Sequence, residues 1–396
     1  MSRPGRVAVV VAGAGARGAY EAGALSVLLP ALERAGSRPD LYVGTSAGAI
    51  NAVLLAANAH LPAEQSAQAL LEVWRGIGVS DVFRSLLRTG PVSLGRWAGQ
   101  VLGVPGLRLH GFVDTAPLAA TAQRVVDWPQ LRRNVDDGIV DLAVVATSGA
   151  TGRTVVFVDR EGTGPLPPSD DARSIDYVAA GVAAEHVLAS AAIPLLFPPV
   201  AVREPEGRCR WYVDGGVRLN TPLKPALALG ADAVVVVATH PATCPRDPEA
   251  PPETGPPDVD DALVQLLDAA LVDRMVEDLH TLGKLNEESP GGRARRVPYL
   301  FVAPDARGRL GTLAAQCFAQ QYGGLRGALR SVARPDLPLA GRLLGGDGPR
   351  RGDLLSYLLF DPAFVTASIE LGQRDAAATL DSGGIQWRSD RPAAVT

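Results

Sequence analysis

The chain has 396 residues, of which 47% are hydrophobic and 20% are charged, a balance typical of a globular protein with a sizeable core. Its net charge of −4 argues against nucleic-acid binding, which needs a basic surface. The three cysteines, Cys209, Cys244 and Cys317, are widely spaced and match neither a disulfide framework nor a metal site, so we expect a reducing, cytoplasmic compartment. No stretch approaches the roughly 20 apolar residues that cross a bilayer, so any membrane contact is expected to be peripheral.

The start of the chain alternates strands and helices. Residues 6–11 are a continuous apolar run typical of a buried parallel strand, and 17–35 follow as a helix. A second strand at 40–43 leads into a second helix at 47–58. This alternation predicts an α/β fold with a mainly parallel sheet covered on both faces.

A glycine-rich loop, Gly13 to Gly18, joins the first strand to the first helix. Such a loop presents backbone N–H groups to an anion, which is either a dinucleotide pyrophosphate or the oxyanion of an acyl-transfer intermediate. Dinucleotide binding also needs an acidic residue at the end of the next strand. Here that strand ends in Val43 and Gly44, and Asp40 precedes it, so the oxyanion interpretation is favoured.

The second strand runs directly into Gly44-Thr45-Ser46-Ala47-Gly48, a G-x-S-x-G motif that opens a helix. A strand, a tight turn holding one serine and a helix are the context of a nucleophile elbow. The two glycines let the strand and helix approach closely. The helix N-terminus offers N–H groups and a positive dipole end to a developing oxyanion.

Later segments extend the sheet and add helices. The predicted strands are 141–147, 153–158, 210–213, 233–239 and 299–303. The predicted helices are 112–127, 176–190, 259–282, 313–332 and 362–380, with a loop at 90–111. We divide the chain into a catalytic domain at 1–240, a proline- and acid-rich loop at 241–258, a mainly helical part at 259–380 packed on that domain, and a disordered tail at 381–396.

A nucleophilic serine needs a base, and two candidates stand out. His240 ends the predicted strand 233–239, where it would point toward an active site, whereas four other histidines lack such a setting: His60, His110, His186 and His280. Asp214 ends a short strand and precedes Gly215 and Gly216, a pattern that also occurs in ordinary turns. From these residues alone, either His240 or Asp214 could be the base.

Three motifs in this order resemble the signatures of the patatin-like phospholipase family: the loop Gly13–Gly18, the elbow Gly44–Gly48 and the triplet Asp214–Gly216. The flanking stretches Ala189–Pro199 and Asn220–Leu223 also look like the family, and the resemblance covers roughly residues 6–240. Many members carry three successive glycines in the first loop, whereas this chain has Ala14 in the middle. A methyl group there restricts φ but leaves the N–H in place.

The resemblance implies a three-layer α/β/α fold and a lipid acyl hydrolase that works without metal or cofactor. Ser46 would be the nucleophile and Asp214 the general base, with no histidine involved. The N–H groups of Ala14 and Gly15, helped by Ala47, would bind the oxyanion. Separately from the resemblance, we expect Arg17, two residues after Gly15, to position the loop or meet an anionic head group rather than to take part in proton transfer. The implied site residues are Gly13, Ala14, Gly15, Ala16, Arg17 and Gly18 in the oxyanion loop, Gly44, Thr45, Ala47 and Gly48 in the elbow, and Gly215 and Gly216 beside the aspartate.

Two alternatives remain at this stage. One is an α/β-hydrolase-like esterase or thioesterase with a Ser46–Asp–His240 triad, although its nucleophile normally follows several strands and Ser46 follows two. The other is a nucleotide-binding module built on Gly13–Gly18. The expected substrate of the leading interpretation is a lipid or another acyl ester.

Overall fold

The protein is described by a computed structural model. The described residues are 5–84, 92–93, 95–96, 109–162, 164–203, 207–242, 273–287, 296–322, 351–380 and 384–390. The predicted loops 90–111 and 241–258, the first part of the predicted helix 259–282 and the end of the predicted helix 313–332 lie largely outside these ranges.

The described residues form one mixed, mainly parallel sheet. Its strands are β1 Val7–Val11, β2 Leu41–Thr45, β3 Asp141–Ser148, β4 Thr154–Asp159, β5 Ile175–Ala179, β6 Val200–Arg203, β7 Cys209–Asp214, β8 Ala233–Val237 and β9 Tyr299–Val302. The order across the sheet is β5-β4-β3-β2-β1-β8-β9, with β7 paired to β3 and β6 paired to β7. The central strands β3, β2, β1, β8 and β9 run parallel, and β4, β6 and β7 introduce the antiparallel pairs.

Helices flank the sheet. They are α1 Gly18–Arg34, α2 Ala47–Ala57, α3 Ala63–Gly76, α4 Val79–Val82, α5 Ala116–Val125, α6 Trp128–Asp136, α7 Ala184–Ser190, α8 Gly216–Leu219, α9 Leu223–Ala228, α10 Asp273–Glu287, α11 Arg309–Tyr322, α12 Arg351–Leu358 and α13 Pro362–Thr379. A short 3₁₀ turn at Gly15–Arg17 precedes α1.

The central strands are buried on both faces, as expected for parallel strands between two helical layers. In β1, the odd-numbered Val7, Val9 and Val11 pack in the core formed with α1 and α2. The even-numbered Ala8 and Val10 pack in a second core with α8, α9 and α10. This alternation defines the predicted three-layer α/β fold, and the C-terminal part is helical where it is described.

The C-terminal helix α13 lies against α1 at a distance that only glycine permits. A Cβ atom at Gly372 would collide with the Tyr20 carbonyl oxygen, and one at Gly23 with the Ile369 carbonyl oxygen.

Among the described helices, none alone is long and apolar enough to cross a bilayer; α12 and α13 reach that length only as a pair bent by 102°.

The predicted helix at 176–190 is wrong in its first half. Residues Ile175–Ala179 form β5, which pairs in parallel with β4 and carries Asp176 in an ion pair with Arg153. Strand β5 therefore depends on its pairing with β4, and the hydrophobic periodicity within 176–190 does not reveal that pairing. Strand β6 and helix α6 were not predicted.

Part of the tail is also ordered, in contrast to the expected disorder of 381–396. Arg388 exchanges two backbone hydrogen bonds with Tyr299 of β9, with N···O distances of 2.8 Å in both directions. The Tyr299 hydroxyl also donates to the Asp390 carbonyl oxygen at 2.8 Å. Because β9 is an edge strand of the described sheet, it has backbone groups free to pair with this segment.

Candidate active site

The glycine-rich loop and the serine elbow lie side by side because β1 and β2 are adjacent parallel strands. Val11 pairs with Gly44, so both strands end at the same edge of the sheet. Ala12 extends the β1 pairing by donating its N–H to the Val237 carbonyl at 3.1 Å. Carboxyl ends of parallel strands are where α/β proteins place their binding sites.

Ser46 has the strained backbone of a nucleophile elbow, with φ at 54° and ψ at −125°. A non-glycine residue with positive φ and this ψ needs a surrounding structure that imposes it. Gly44 and Gly48 permit the turn: a Cβ at Gly44 would collide with the Gly48 carbonyl, and one at Gly48 with the carbonyls of Val11 and Ala12. The turn is tied down by the Ser190 hydroxyl, which accepts from the Ser46 N–H at 2.8 Å.

Asp214 reaches Ser46 because the antiparallel strand β7 pairs with β3. Asp214 is opposite Ala146, one residue beyond Val145, which pairs with Thr45. The next residue, Gly215, lies against the strand ends, where a Cβ would collide with the Val145 carbonyl. Sheet register therefore places the carboxyl group beside the elbow.

Burial is the main influence on the Asp214 carboxyl. It raises the pKa from 3.8 to about 6, since a carboxylate loses hydration in a dry site. Hydrogen bonds from the Ser46 side chain and from the Gly216 N–H act in the opposite direction, the latter at 2.7 Å. The group is thus a stronger base than an exposed aspartate.

Some backbone N–H groups of the glycine-rich loop are hydrogen-bonded to the main chain, and others are not. Gly13 donates to the Asn220 carbonyl at 3.0 Å, and Arg17 donates its main-chain N–H to the Ala14 carbonyl at 3.1 Å. Within the described part of the chain, the N–H groups of Ala14, Gly15 and Ala47 make no main-chain hydrogen bond. Of the predicted loop residues, Gly13 therefore uses its N–H in a main-chain hydrogen bond, while the N–H groups of Ala14 and Gly15 can donate to a ligand.

The other predicted residues of the motifs support the turn. Ala16 is fully buried in the core, and Gly18 lies against the Trp74 ring. Thr45 donates its hydroxyl to the Leu219 carbonyl at 3.0 Å and is completely buried. None of these three residues lines the pocket beside Ser46.

Ser46 opens into an apolar pocket of about 550 Å³ that is partly open to solvent. The pocket is lined by Gly15, Ser46, Ala47, Ile50, Trp74, Ile77, Val82, Leu118, Thr121, Ala191, Ile193, Phe197, Tyr357, Leu358 and Phe360. A second apolar compartment of about 430 Å³ shares Ile50, Ile77, Leu118, Thr121 and Ala191 with it. The two compartments therefore lie side by side, and the first of them is lined by Ser46.

A buried polar network supports one wall of this pocket. The Trp74 indole donates to the Asn51 side-chain oxygen at 2.7 Å, and the Asn51 amide donates to Glu21 at 3.0 Å. Glu21 is fully buried, and burial raises its pKa well above the usual value, which favours the neutral carboxyl.

His240 is buried, and each of its ring nitrogens has a polar partner. Its Nε2 contacts a guanidinium nitrogen of Arg17 at 3.1 Å, and its Nδ1 contacts the Thr239 hydroxyl at 3.3 Å. Burial, with help from nearby cations, lowers its pKa well below the usual value. The two ring nitrogens thus contact Arg17 and Thr239.

The remaining histidines have structural settings or are exposed. His186 accepts the Ala183 N–H at 3.1 Å at the start of α7, and its ring packs edge-on against Phe157. His60 contacts Asn134, while His110 and His280 are exposed. Among the described residues, no cluster of three or more potential ligands could hold a metal ion.

Arg17 has partners that sequence reasoning missed. Its guanidinium contacts Asp353, Ser356 and Tyr357 on α12, more than 330 residues away. No local pattern around 351–358 indicates this contact, which depends on how α12 docks on the loop. The possibility that Arg17 meets a head group is also disfavoured, because its N–H groups are occupied.

A strained serine, a buried carboxyl group with a raised pKa and three backbone N–H groups that make no main-chain hydrogen bond among the described residues thus lie together beside an apolar pocket. The sequence profile of the patatin-like phospholipases matches residues 9–227, more than half of the chain. The chain therefore belongs to the patatin-like phospholipase family, and its general activity is that of a lipid acyl hydrolase.

Two further comparisons add detail. The crystal structure of VipD from Legionella pneumophila matches with a TM-score of 0.36 and 13% sequence identity, covering 96% of this chain and 67% of that chain. No curated protein sequence matches this chain significantly.

Proposed function

We propose that the protein cleaves carboxylic ester bonds of lipids through an acyl-serine intermediate, with Ser46 as nucleophile and Asp214 as general base. The observation that carries the proposal is the placement of Ser46, at a strained elbow beside the buried Asp214 and at the start of an apolar pocket. The acyl chain would occupy that pocket, with its carbonyl carbon at the Ser46 oxygen.

In the first half-reaction, Asp214 accepts the hydroxyl proton as Ser46 Oγ forms a bond to the ester carbonyl carbon. The carbonyl oxygen becomes an oxyanion, for which Ala14, Gly15 and Ala47 have N–H groups that make no main-chain hydrogen bond in the described chain. When the intermediate collapses, the ester C–O bond breaks and Asp214 returns the proton to the departing alcohol. Ser46 is left acylated.

In the second half-reaction, water replaces the alcohol. Asp214 takes a proton from the water as its oxygen attacks the acyl carbon, and the Ser46 oxygen leaves and recovers that proton. The products are a carboxylic acid and free enzyme. Each step needs only one proton acceptor, which a carboxyl with a pKa of about 6 supplies near neutral pH.

The alternatives have less support. A Ser46–Asp–His240 triad would need an imidazole facing the serine, whereas both His240 nitrogens contact Arg17 and Thr239. Nucleotide binding would need charged or polar groups in front of Gly13–Gly18, whereas the space beside Gly15 is bounded mainly by apolar side chains.

The proposal is tested with covalent labelling by a fluorophosphonate and with hydrolysis of p-nitrophenyl esters. Ser46→Ala should abolish both, because the nucleophile is gone, whereas the exposed serine variant Ser80→Ala should retain both. Labelling that persists in Ser46→Ala, at another serine, would remove Ser46 from its proposed role.

The same assays separate the two possible bases. Asp214→Asn keeps the side-chain shape but not the base, so we expect hydrolysis to fall on the order of 10²- to 10⁴-fold. His240→Gln can still accept from Arg17 and should retain most activity. Equal loss in the two variants would favour the triad.

A further inference from the structure

The guanidinium of Arg17 is buried beside the site and is fully hydrogen-bonded. Its side chain is 2% exposed, and all five N–H groups have acceptors. Nε donates to Ser356 Oγ at 2.7 Å, and one terminal nitrogen donates to His240 Nε2 at 3.1 Å and Tyr357 Oη at 3.3 Å. The other terminal nitrogen donates to Asp353, to the carboxylate at 2.9 Å and the carbonyl at 3.1 Å.

These contacts connect two parts of the chain that are distant in sequence. Arg17 lies in the glycine-rich loop, while Asp353, Ser356 and Tyr357 lie on α12. The guanidinium also stacks on the Tyr357 ring, with its central carbon 4.0 Å from the ring centroid. A planar, multidentate cation fixes orientation as well as distance, which a single ammonium would not do.

The backbones of the loop and of α12 also touch. Gly15 has φ at +55°, and a Cβ there would collide with the Tyr357 carbonyl oxygen. The helix therefore lies directly against Gly15, one of the proposed oxyanion donors. Beyond this contact, Leu358 and Phe360 continue into the wall of the pocket that contains Ser46.

We propose that Arg17 is a positioning residue that fastens the glycine-rich loop to α12, so that the C-terminal part of the chain sets the geometry of the oxyanion donors. This inference rests on the proposed acyl-transfer function. Arg17 itself touches no substrate and moves no proton: it holds Ala14 and Gly15 in place through its main chain while its side chain is anchored on α12. Loosening the anchor should misplace the donors without removing them.

The kinetic consequence is specific. Oxyanion donors act in the transition state more than on the bound ester, so misplaced donors lower kcat and leave KM nearly unchanged. A misplacement of about 1 Å can cost on the order of a hundredfold in rate. Damage to the pocket wall alone would instead raise KM for long acyl chains and spare short ones.

The test uses the full chain with Asp353→Asn, which removes the charge that faces Arg17 but keeps the side-chain shape. Kinetics are measured on p-nitrophenyl acetate and p-nitrophenyl octanoate, which fill the pocket to different depths. We expect kcat to fall about ten- to a hundredfold for both esters, with KM for the acetate within about twofold. The matched control is Asp171→Asn, because Asp171 also pairs with an arginine, Arg153, but is 94% exposed.

A second measurement does not depend on activity. Hydrogen–deuterium exchange of the peptide spanning residues 12–19 reports on the hydrogen-bonded amides of Gly13 and Arg17. It should become faster in Asp353→Asn and stay unchanged in Asp171→Asn. If Asp353→Asn does not fold, Ser356→Ala and Tyr357→Phe, which each remove one acceptor from Arg17, take its place with smaller expected effects of the same kind.

The outcomes separate the two proposals. Unchanged kcat and unchanged exchange in folded variants would overturn the positioning role. A rise in KM for the octanoate alone would also overturn it and would assign α12 to the pocket wall only. A wild-type protein that hydrolyses no ester and takes no fluorophosphonate would refute the proposed function, while exchange would still decide whether α12 holds the loop.

Discussion

The ionisation of Asp214 links the proposed activity to pH. Its carboxyl acts as a base only when deprotonated, and its pKa is raised to about 6 because the group is buried. We therefore predict that kcat/KM for a p-nitrophenyl ester is low at pH 5, half-maximal near pH 6 and constant above pH 7. An exposed aspartate would place the midpoint near 4 instead. A midpoint near 4, or a fall on the alkaline side that tracks a histidine, would contradict the assignment.

The raised pKa of Asp214 also lowers the stability of the folded protein near neutral pH, and measuring this effect gives a check on the pKa that does not depend on activity. Between pH 4 and 6 the folded state holds a proton that the unfolded state has lost, so the free energy of unfolding falls as pH rises through this window. A shift of about two units corresponds to roughly 3 kcal/mol. Asp214→Asn carries no such titration, so at pH 7 it should melt higher than the wild type even though it is inactive.

The local backbone geometry around Ser46 could be predicted from sequence. The elbow around Ser46 needs a strand, two glycines and a helix in succession, and all of these are visible in the chain. Asp214 was harder, since its place beside Ser46 follows from the pairing of β7 with β3. Only the resemblance to a family, together with the order of the motifs, favoured it as the base.

At the scale of elements, the strands and helices near the N-terminus were predictable because each carries its own periodicity. β5 and β6 were not, since β5 exists through pairing with β4 and β6 through pairing with β7. The contact between Arg17 and α12 was equally unpredictable. Neither the glycine-rich loop nor residues 351–358 carry a sequence pattern that indicates it, because it forms only when α12 packs against the loop. Sequence patterns reveal elements better than they reveal contacts between distant elements.

The packing of α13 on α1 offers a test at this scale. Gly372 lies against the Tyr20 carbonyl, so Gly372→Ala should force the helices apart and destabilise the protein by about 1–3 kcal/mol. The gain in helix propensity from alanine, about 1 kcal/mol, acts in the opposite direction. Thermal unfolding should show a lower Tm for Gly372→Ala.

The matched control for this prediction is Gly76→Ala at the end of α3, where a Cβ would meet no atom within 4 Å. That variant should be neutral or slightly stabilised. If both glycine variants behave alike, close helix packing is not the reason for glycine at position 372.

At the scale of the whole molecule, the pocket extends beyond the region that defines the family. The profile match ends at residue 227, yet Tyr357, Leu358 and Phe360 line the pocket that contains Ser46. The apolar faces of α12 and α13 are buried against the rest of the protein: Phe364, Val365 and Ile369 belong to the same core as α1 and β1. The C-terminal helices thus contribute both to the core and to the site.

Two truncations test this dependence. A chain ending at residue 380 keeps α12 and α13 and loses, among the described residues, the pairing of Arg388 with Tyr299 and the packing of Ile385 and Trp387 on the core, so it should fold and hydrolyse esters with a Tm a few degrees lower. A chain ending at residue 350 loses both helices, exposes the apolar surface of α1 and removes one wall of the pocket, so it should aggregate or remain unlabelled by a fluorophosphonate. Solubility, Tm and labelling at Ser46 are compared for the two truncated chains and the full chain. A soluble 1–350 chain with labelling equal to that of the full chain would mean that the core folds and forms its site without the C-terminal helices.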